Sequence, residues 1–388
     1  MTATRPADLA GAARGFAAAE LTDHRYFDGL PEPPMPQQAR LADAGLANWW
    51  MPVEYGGPGV SLREGVDIVS ELSYGDAGFA FTSYLSILAT TMVHLYGEDE
   101  VRKPLLTDFA GSGGVCATLA SEDAAGSELG RTETTSTRRG GAVIITGDKY
   151  FSTNTDLAEF LVVVTRSAES DQDFRAVVVP RDAPGIKVVR RWDVLGMRGS
   201  ATYEVRLRNV RVPASHVLRG NGIRVLEAGL NASRVLIATT SIGLSRRVRD
   251  EAMSYAATKT IKGERLTANN VFAAKLGEIE MQIDLMLNQC RAAAAEFDAI
   301  MARPDAADEF LRVGSTRSAL AAKMACGQLG WAVASTGSQL FGGLGYTNDH
   351  IIGKLTRDLR WTALVEGGED VMRDLLYSRY VLPGDRRR

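Results

Sequence analysis

Cysteine is scarce in this sequence. Cys116, Cys290 and Cys326 are three, an odd number, and far apart along the chain. That argues against a disulfide framework or a zinc site and points to a reducing cytoplasm. The four histidines, His24, His94, His216 and His350, show no metal-ligand spacing, so no metal is expected. An excess of charge of one sign is also missing. The net charge of −3 gives no electrostatic case for nucleic acid or an anionic membrane as partner. No apolar run reads as long enough to span a membrane, and the opening Met-Thr-Ala-Thr-Arg-Pro-Ala-Asp has no apolar signal core. Neither G-x-G-x-x-G nor a Walker motif occurs, which excludes the Rossmann and P-loop routes to nucleotide binding. What remains is a soluble globular chain of 388 residues, long enough for two or three packed units.

Its texture changes twice. Residues 1–112 read as helices: 9–21, 37–46, a helix opened by the capping-box pair Ser61 and Glu64, a strongly apolar and buried 79–95, and 102–109. From 113 to 220 short β-rich runs alternate with turn residues: 142–146, 160–165, 176–179, 185–189 and 203–212. In the last, Val205, Leu207, Val210 and Val212 interleave with Arg206, Arg208 and Arg211. This spacing predicts a small antiparallel barrel or sandwich. From 221 to 388 the chain is helical again. Phe272, Leu276, Ile279, Ile283, Met286 or Leu287, and Cys290 recur at steps of four and three, and Leu320, Met324, Leu329, Val333 and Leu340 mark a second long helix. Long amphipathic helices with short loops predict a four-helix bundle. The expected class is thus α+β: an all-α N-terminal domain, a central antiparallel β-barrel or sandwich, and a C-terminal four-helix bundle. The Arg386-Arg-Arg tail reads as a frayed end.

One stretch organises the rest. In Arg357-Asp-Leu-Arg-Trp-Thr-Ala-Leu-Val-Glu-Gly-Gly-Glu, a helical run ends near Val365 and another starts near Asp370. Between them Glu366 precedes Gly367 and Gly368, whose lack of a Cβ permits a sharp turn and close approach of a ligand. Glu369 and Asp370 suit the first turn of the next helix. Glu366 is therefore either a carboxylate presented from an interhelical elbow or a solvated turn residue. Three further stretches carry possible chemistry: Ser121-Glu-Asp-Ala-Ala-Gly-Ser127, Lys149-Tyr-Phe-Ser-Thr-Asn154, and Gln339-x-x-Gly-Gly-x-Gly-Tyr346 running on to Asp349, Lys354 and Asp358. Each alone reads more readily as a structural turn or helix cap.

Together these pieces resemble the acyl-CoA dehydrogenase family over nearly the full chain. Gln339, Gly342, Gly343, Gly345, Tyr346, Asp349, Lys354 and Asp358 match its C-terminal signature. Glu54-Tyr-Gly-Gly-Pro-Gly, Leu195-Gly-Met-Arg-Gly-Ser-x-Thr202 and Val210-x-Val-Pro213 are similar to family turns. Ser121-Glu-x-x-Ala-Gly-Ser-Glu and Lys149-x-Phe-x-Thr-Asn match more loosely, with Asp123 for a usual Pro and Phe151 for a usual Trp. The resemblance implies FAD as cofactor, an acyl thioester on CoA or a carrier protein as substrate, an electron-transfer acceptor, and a homotetramer or homodimer. It implies that Ser121, Phe151 and Thr153 meet the flavin ring, that Ser127 meets the flavin or the substrate's pantetheine arm, and that Gln339, Gly342 and Gly343 receive the ADP part of a partner subunit's FAD. Arg234 and Gly367 fall at substrate-binding places, and Glu366 at the place of the α-proton base. In one branch the base instead precedes an Arg on the earlier helix; here that place is Ser233.

Four departures stand out. Lys259-Thr-Ile-Lys262-Gly263 replaces Arg-x-x-Phe-Gly, so Lys259 or Lys262 would bring charge to the FAD phosphates without the planar fork of Arg. Asn270 replaces a Gln in the cofactor cradle, Gly368 a Thr beside the base, and Asp123 the Pro already noted. They suggest a divergent branch serving specialised metabolism. Two other readings compete: a flavin monooxygenase on the same fold, against which Glu366 counts, and a non-catalytic helical interaction protein.

Overall fold

The computed structural model describes residues 8–383. Most of the opening stretch (1–7) and the tail (386–388) lie outside them. Among the described residues seven helices come first: α1 (Leu9–Glu20), α2 (His24–Gly29), α3 (Met35–Asp43), α4 (Leu62–Gly75), α5 (Ala77–Tyr84), α6 (Ser86–Tyr96) and α7 (Asp99–Ser112). The capping box forms as its sequence predicts. Ser61 Oγ accepts from the Glu64 amide and Glu64 Oε2 from the Ser61 amide, each at 3.2 Å. Asp76 starts α5 by accepting the Phe79 amide at 2.8 Å. The span Ala77–Tyr96 corrects one expectation, since by length and composition it could cross a membrane. It is 94% buried inside the protein, as a core helix pair is.

Seven strands follow: β1 (Val115–Leu119), β2 (Thr135–Arg139), β3 (Ala142–Thr153), β4 (Ala158–Ser167), β5 (Phe174–Pro180), β6 (Ile186–Arg191) and β7 (Thr202–Pro213). They form one sheet in the order β1-β4-β2-β3-β7-β6, with β5 paired to β4. The expected antiparallel barrel or sandwich is corrected here. The sheet is mixed, because β1 and β2 both run parallel to β4, and it does not close into a barrel. The sequence hid this because β2, Thr-Ser-Thr-Arg-Arg, has no apolar alternation. The sheet keeps its own apolar cluster around Val143, Leu161, Val163, Val205 and Leu207, built by the period-two burial that β7 shows in sequence.

The last segment holds α8 (Gly222–Thr258), a small hairpin of β8 (Thr260–Ile261) and β9 (Glu264–Arg265), then α9 (Asn270–Met301), α10 (Ala306–Val313), α11 (Arg317–Leu340), α12 (Ile351–Thr362) and α13 (Glu369–Leu376). Helix α11 packs on α8, α9 and α12, giving the bundle that the heptad-like spacing predicts. Close approach uses small residues: a Cβ on Gly243 of α8 would sit 2.4 Å from the Ser70 carbonyl of α4. Cys290 and Cys326, remote in sequence, face each other across the bundle at 3.6 Å as free thiols. One continuous hydrophobic core joins the first and last helical segments, for example Phe79, Val66, Ile242 and Leu359.

A buried charge cluster fastens this arrangement. Lys354 Nζ lies 2.5 Å from Asp358 and 2.8 Å from Asp76, and Asp358 Oδ1 accepts the Met197 amide at 2.6 Å. One lysine thus ties the N-terminal helices, the loop before β7 and α12 together. Burial works against its charge, but Asp358 and Asp76 outweigh burial and hold its pKa above the usual lysine value.

Candidate functional site

The elbow carries a strained backbone. Helix α12 ends at Thr362 and α13 begins at Glu369. Between them Glu366 is left-handed at φ 50 and Gly367 has φ 91. A left-handed non-glycine residue costs roughly 1–2 kcal/mol, so the surroundings must hold it. They do so through two consecutive carbonyls. Arg234 of α8 donates to the Glu366 carbonyl from Nη2 at 3.1 Å and from Nε at 3.4 Å. Lys323 of α11 donates to the Gly367 carbonyl at 2.7 Å. Arg234 is itself fixed by Ser315 Oγ at 2.8 Å.

The carboxylate is held asymmetrically. Ser233 Oγ donates to Glu366 Oε2 at 2.7 Å. Oε1 is buried and has no hydrogen-bond partner among the described residues. The residue as a whole is half-buried, but Oε1 is fully buried. Burial pushes the Glu366 pKa up to about 7, against the opposing pull of Arg234, Ser233 and Lys323. Burial, with help from Arg234, brings Lys323 down to about 7, against Glu366 and Glu369. The hydroxyl of fully buried Tyr84 meets Thr240 Oγ1 at 2.9 Å and also feels the Glu366 charge.

A second group lies on the rim of the sheet. Phe151, left-handed at φ 51, is 59% exposed and stacks on Trp192 with centroids 4.7 Å apart. Arg190 covers the other side of that indole at 3.8 Å. Thr153 and Thr202 share a hydrogen bond of 2.9 Å. The Ser121 carbonyl accepts the Tyr150 amide at 2.8 Å, which sets the Ser121–Ser127 loop beside the end of β3. Lys149, fully buried, anchors that loop by a 2.7 Å contact to Glu122 and a 3.0 Å bond to the Ala120 carbonyl. Ser127 itself is exposed.

The remaining candidates gather elsewhere. Lys259, at the end of α8, Lys262, in the hairpin turn, and Asn270, at the start of α9, are all exposed. Gln339 accepts from Lys275 Nζ at 2.9 Å, and Phe341 packs on Tyr255 at 4.9 Å, beneath Lys259. These contacts bring the hairpin and the Gly342–Gly343 turn to one end of the bundle. At ~1.5 Å per helical residue, the run of α8 from Ser233 to Thr258 puts that end ~38 Å from Glu366. Among the described residues, a Cβ on Gly343 would meet nothing within 4 Å, so none of them crowds that position.

Models of the acyl-CoA dehydrogenase N-terminal, middle and C-terminal domains match residues 7–112, 117–210 and 220–381. The chain belongs to the acyl-CoA dehydrogenase family. It is 27% identical over 378 residues to a probable acyl-CoA dehydrogenase, YngJ, of Bacillus subtilis, covering 95% of this chain and 96% of that one. Its fold superposes on butyryl-CoA dehydrogenase from Megasphaera elsdenii with a TM-score of 0.87 at 22% identity, over 95% and 96% of the two chains. It superposes also on the prolyl acyl carrier protein oxidase AnaB with a TM-score of 0.85 at 19% identity, over the same shares. As an acyl-CoA dehydrogenase family member it is an oxidoreductase acting on CH–CH donors, with FAD as its cofactor.

The residues of the elbow and the sheet rim fit that cofactor. An acyl-CoA dehydrogenase must lay a flat ring against apolar surface and oppose it with a base. Phe151 is strained into an exposed position above Trp192, and Glu366 keeps an unpaired oxygen. Sequence reasoning missed four participants. Lys323 was readable: it lies with Leu320, Cys326 and Gly327 on the buried stripe of α11, a place where lysine is out of character. Trp192, Tyr84 and Asp76 carried no such signal, since each reaches its partner only through tertiary packing. Lys354 and Asp358, part of the matched signature, serve as the fastening of the fold.

Proposed function

We propose that this protein dehydrogenates an acyl thioester at the α and β carbons, with Glu366 removing the α-proton. The carrying observation is the asymmetry of its carboxylate: Oε2 is anchored by Ser233 and Oε1 is buried without a partner. The anchor fixes direction, and the unpaired oxygen keeps a lone pair for a proton. A carboxylate at its reference pKa is a weak base; burial that lifts it to about 7 makes it a better one near neutral pH. FAD, when bound, supplies the hydride acceptor. The chain's own residues orient and exclude water. Arg234 and Lys323 hold the elbow carbonyls, and Gly367 and Gly368 leave room for the thioester to lie against backbone. Ser121, Phe151 and Thr153 would meet the flavin ring from the rim of the sheet, with Ser127 toward the substrate's arm.

The ~38 Å between Glu366 and the hairpin end of α8 supports a cofactor shared between subunits. Lys259, Lys262, Asn270, Gln339, Gly342 and Gly343 would then cradle the ADP part of a neighbour's FAD, in a homodimer or homotetramer that passes electrons to a separate acceptor. The testing experiment is anaerobic titration of the FAD-loaded protein with saturated acyl thioesters, each offered as CoA and as carrier-protein form. Bleaching of the flavin without NAD(P)H is expected. A protein that takes up no FAD, or whose flavin no thioester reduces, would overturn the reading.

A further inference from the structure

Two buried lysines lie in the bundle, and only one has carboxylates against it. Lys354 is paired twice, as described. Lys323, 1% exposed, has as its hydrogen-bond partner among the described residues a backbone carbonyl, that of Gly367. A buried ammonium with no carboxylate in contact is costly. The geometry gives it another role. Arg234 and Lys323 come from different helices and hold successive carbonyls, those of Glu366 and Gly367. The left-handed turn that aims the carboxylate is thus clamped from two sides.

We propose that Lys323 is a positioning residue for Glu366: from α11 it pins the Gly367 carbonyl, and in its protonated form it adds a positive charge near the carboxylate, so that the base is aimed and helped to ionise. The inference rests on Glu366 being the base. Groups facing Glu366 are Ser233 and Arg234 from α8, Lys323 from α11 and the Tyr84 hydroxyl from α5. Those facing Lys323 are Arg234, Glu366 and Glu369. Arg234 is committed to the Glu366 carbonyl and Ser315, and Glu369 to Arg373 and Gln328. Lys323, by contrast, is held by a single bond among the described residues, which leaves two of its three hydrogens uncommitted. Removing it should make ionisation of Glu366 harder, since a nearby opposite charge favours the charged form of a carboxyl.

The test uses the FAD-loaded protein without substrate, so it does not depend on which thioester is used. The infrared carboxylic-acid band of Glu366 is assigned by its disappearance in Glu366→Gln and titrated against pH. In Lys323→Met the midpoint should move up by about one pH unit, a roughly tenfold change in the ionised fraction below the midpoint. Lys323→Gln keeps a donor for the Gly367 carbonyl without the charge; its midpoint should move as far, which separates charge from clamp. A midpoint unmoved in both proteins would overturn the proposal and leave Lys323 as packing. If Lys323→Met does not fold, Lys323→Gln alone decides by the same criterion. Failure of the catalytic reading looks different: flavin reduction by a substrate thioester would then survive Glu366→Gln, whatever the titration shows.

Discussion

Two lysine–carboxylate clusters sit in the same bundle and do opposite things. Around Lys354, every charge is answered: Asp358 and Asp76 flank the ammonium, and the Met197 amide takes the remaining interest of Asp358. Around Glu366, charges are left partly unanswered. Among the described residues Oε1 has no hydrogen-bond partner, and Lys323 bonds a carbonyl rather than a carboxylate. The pKa directions follow: Lys354 is raised, while Lys323 is lowered and Glu366 raised, both to about 7. A satisfied buried network fixes structure; an unsatisfied one keeps free energy in reserve for a ligand.

The comparison breaks most readily at Glu366. Glu366→Gln keeps shape and the Ser233 hydrogen bond but removes the base, so flavin reduction by a substrate thioester should fall by about 10²–10⁴-fold, with the flavin retained. In the parent protein the same rate, followed by stopped flow, should drop about tenfold per pH unit below about 7, as the raised carboxyl takes up its proton. A flat profile, or a fast mutant, would mean that the unanswered charge is not the catalytic one, and Glu369 would be examined next.

At the other cluster the effect should be on stability. Lys354→Met leaves Asp76 and Asp358 buried and facing each other, at a cost of about 3–5 kcal/mol by denaturant unfolding. A loss below 1 kcal/mol would mean that the cluster does not fasten the three segments.

The smallest effect has the opposite sign. A carboxyl whose folded pKa lies above its unfolded value stabilises the fold at low pH, and that contribution is lost as pH rises from about 4.5 through about 7. Ionised Glu366 is therefore a burden at pH 8, and Glu366→Gln should raise stability there by about 1 kcal/mol, with the gain vanishing toward pH 4. Thermal melts at both pH values would show it; equal melting temperatures for mutant and parent at pH 8 would remove the energetic half of the comparison.

How much of this the sequence disclosed differs by region. Helical periodicity and the Ser61–Glu64 cap are local, and the helices appear close to where they were read, with 79–95 resolved into α5 and α6 and α2 unread. The elbow was legible because Glu-Gly-Gly between two helical runs leaves few alternatives. The parallel pairings of β4 were not, because partner choice in a sheet is settled by long-range contacts and polar β2 offered no pattern. Glu366's surroundings were half visible: Ser233 and Arg234 could be placed by the family's register, but which oxygen stays unpaired depends on α8, α11 and α12 meeting in space.

The shared core of the first and last helical segments has a consequence for how the chain is made. About 110 residues separate the end of α7 from the start of α8. At about 5–20 residues per second of synthesis, the apolar pair α5 and α6 waits on the order of ten seconds for the helix that covers it. The nascent N-terminal helices spend that interval with their greasiest surface uncovered, so holding by chaperones during translation should govern the yield of this protein more than its final stability does.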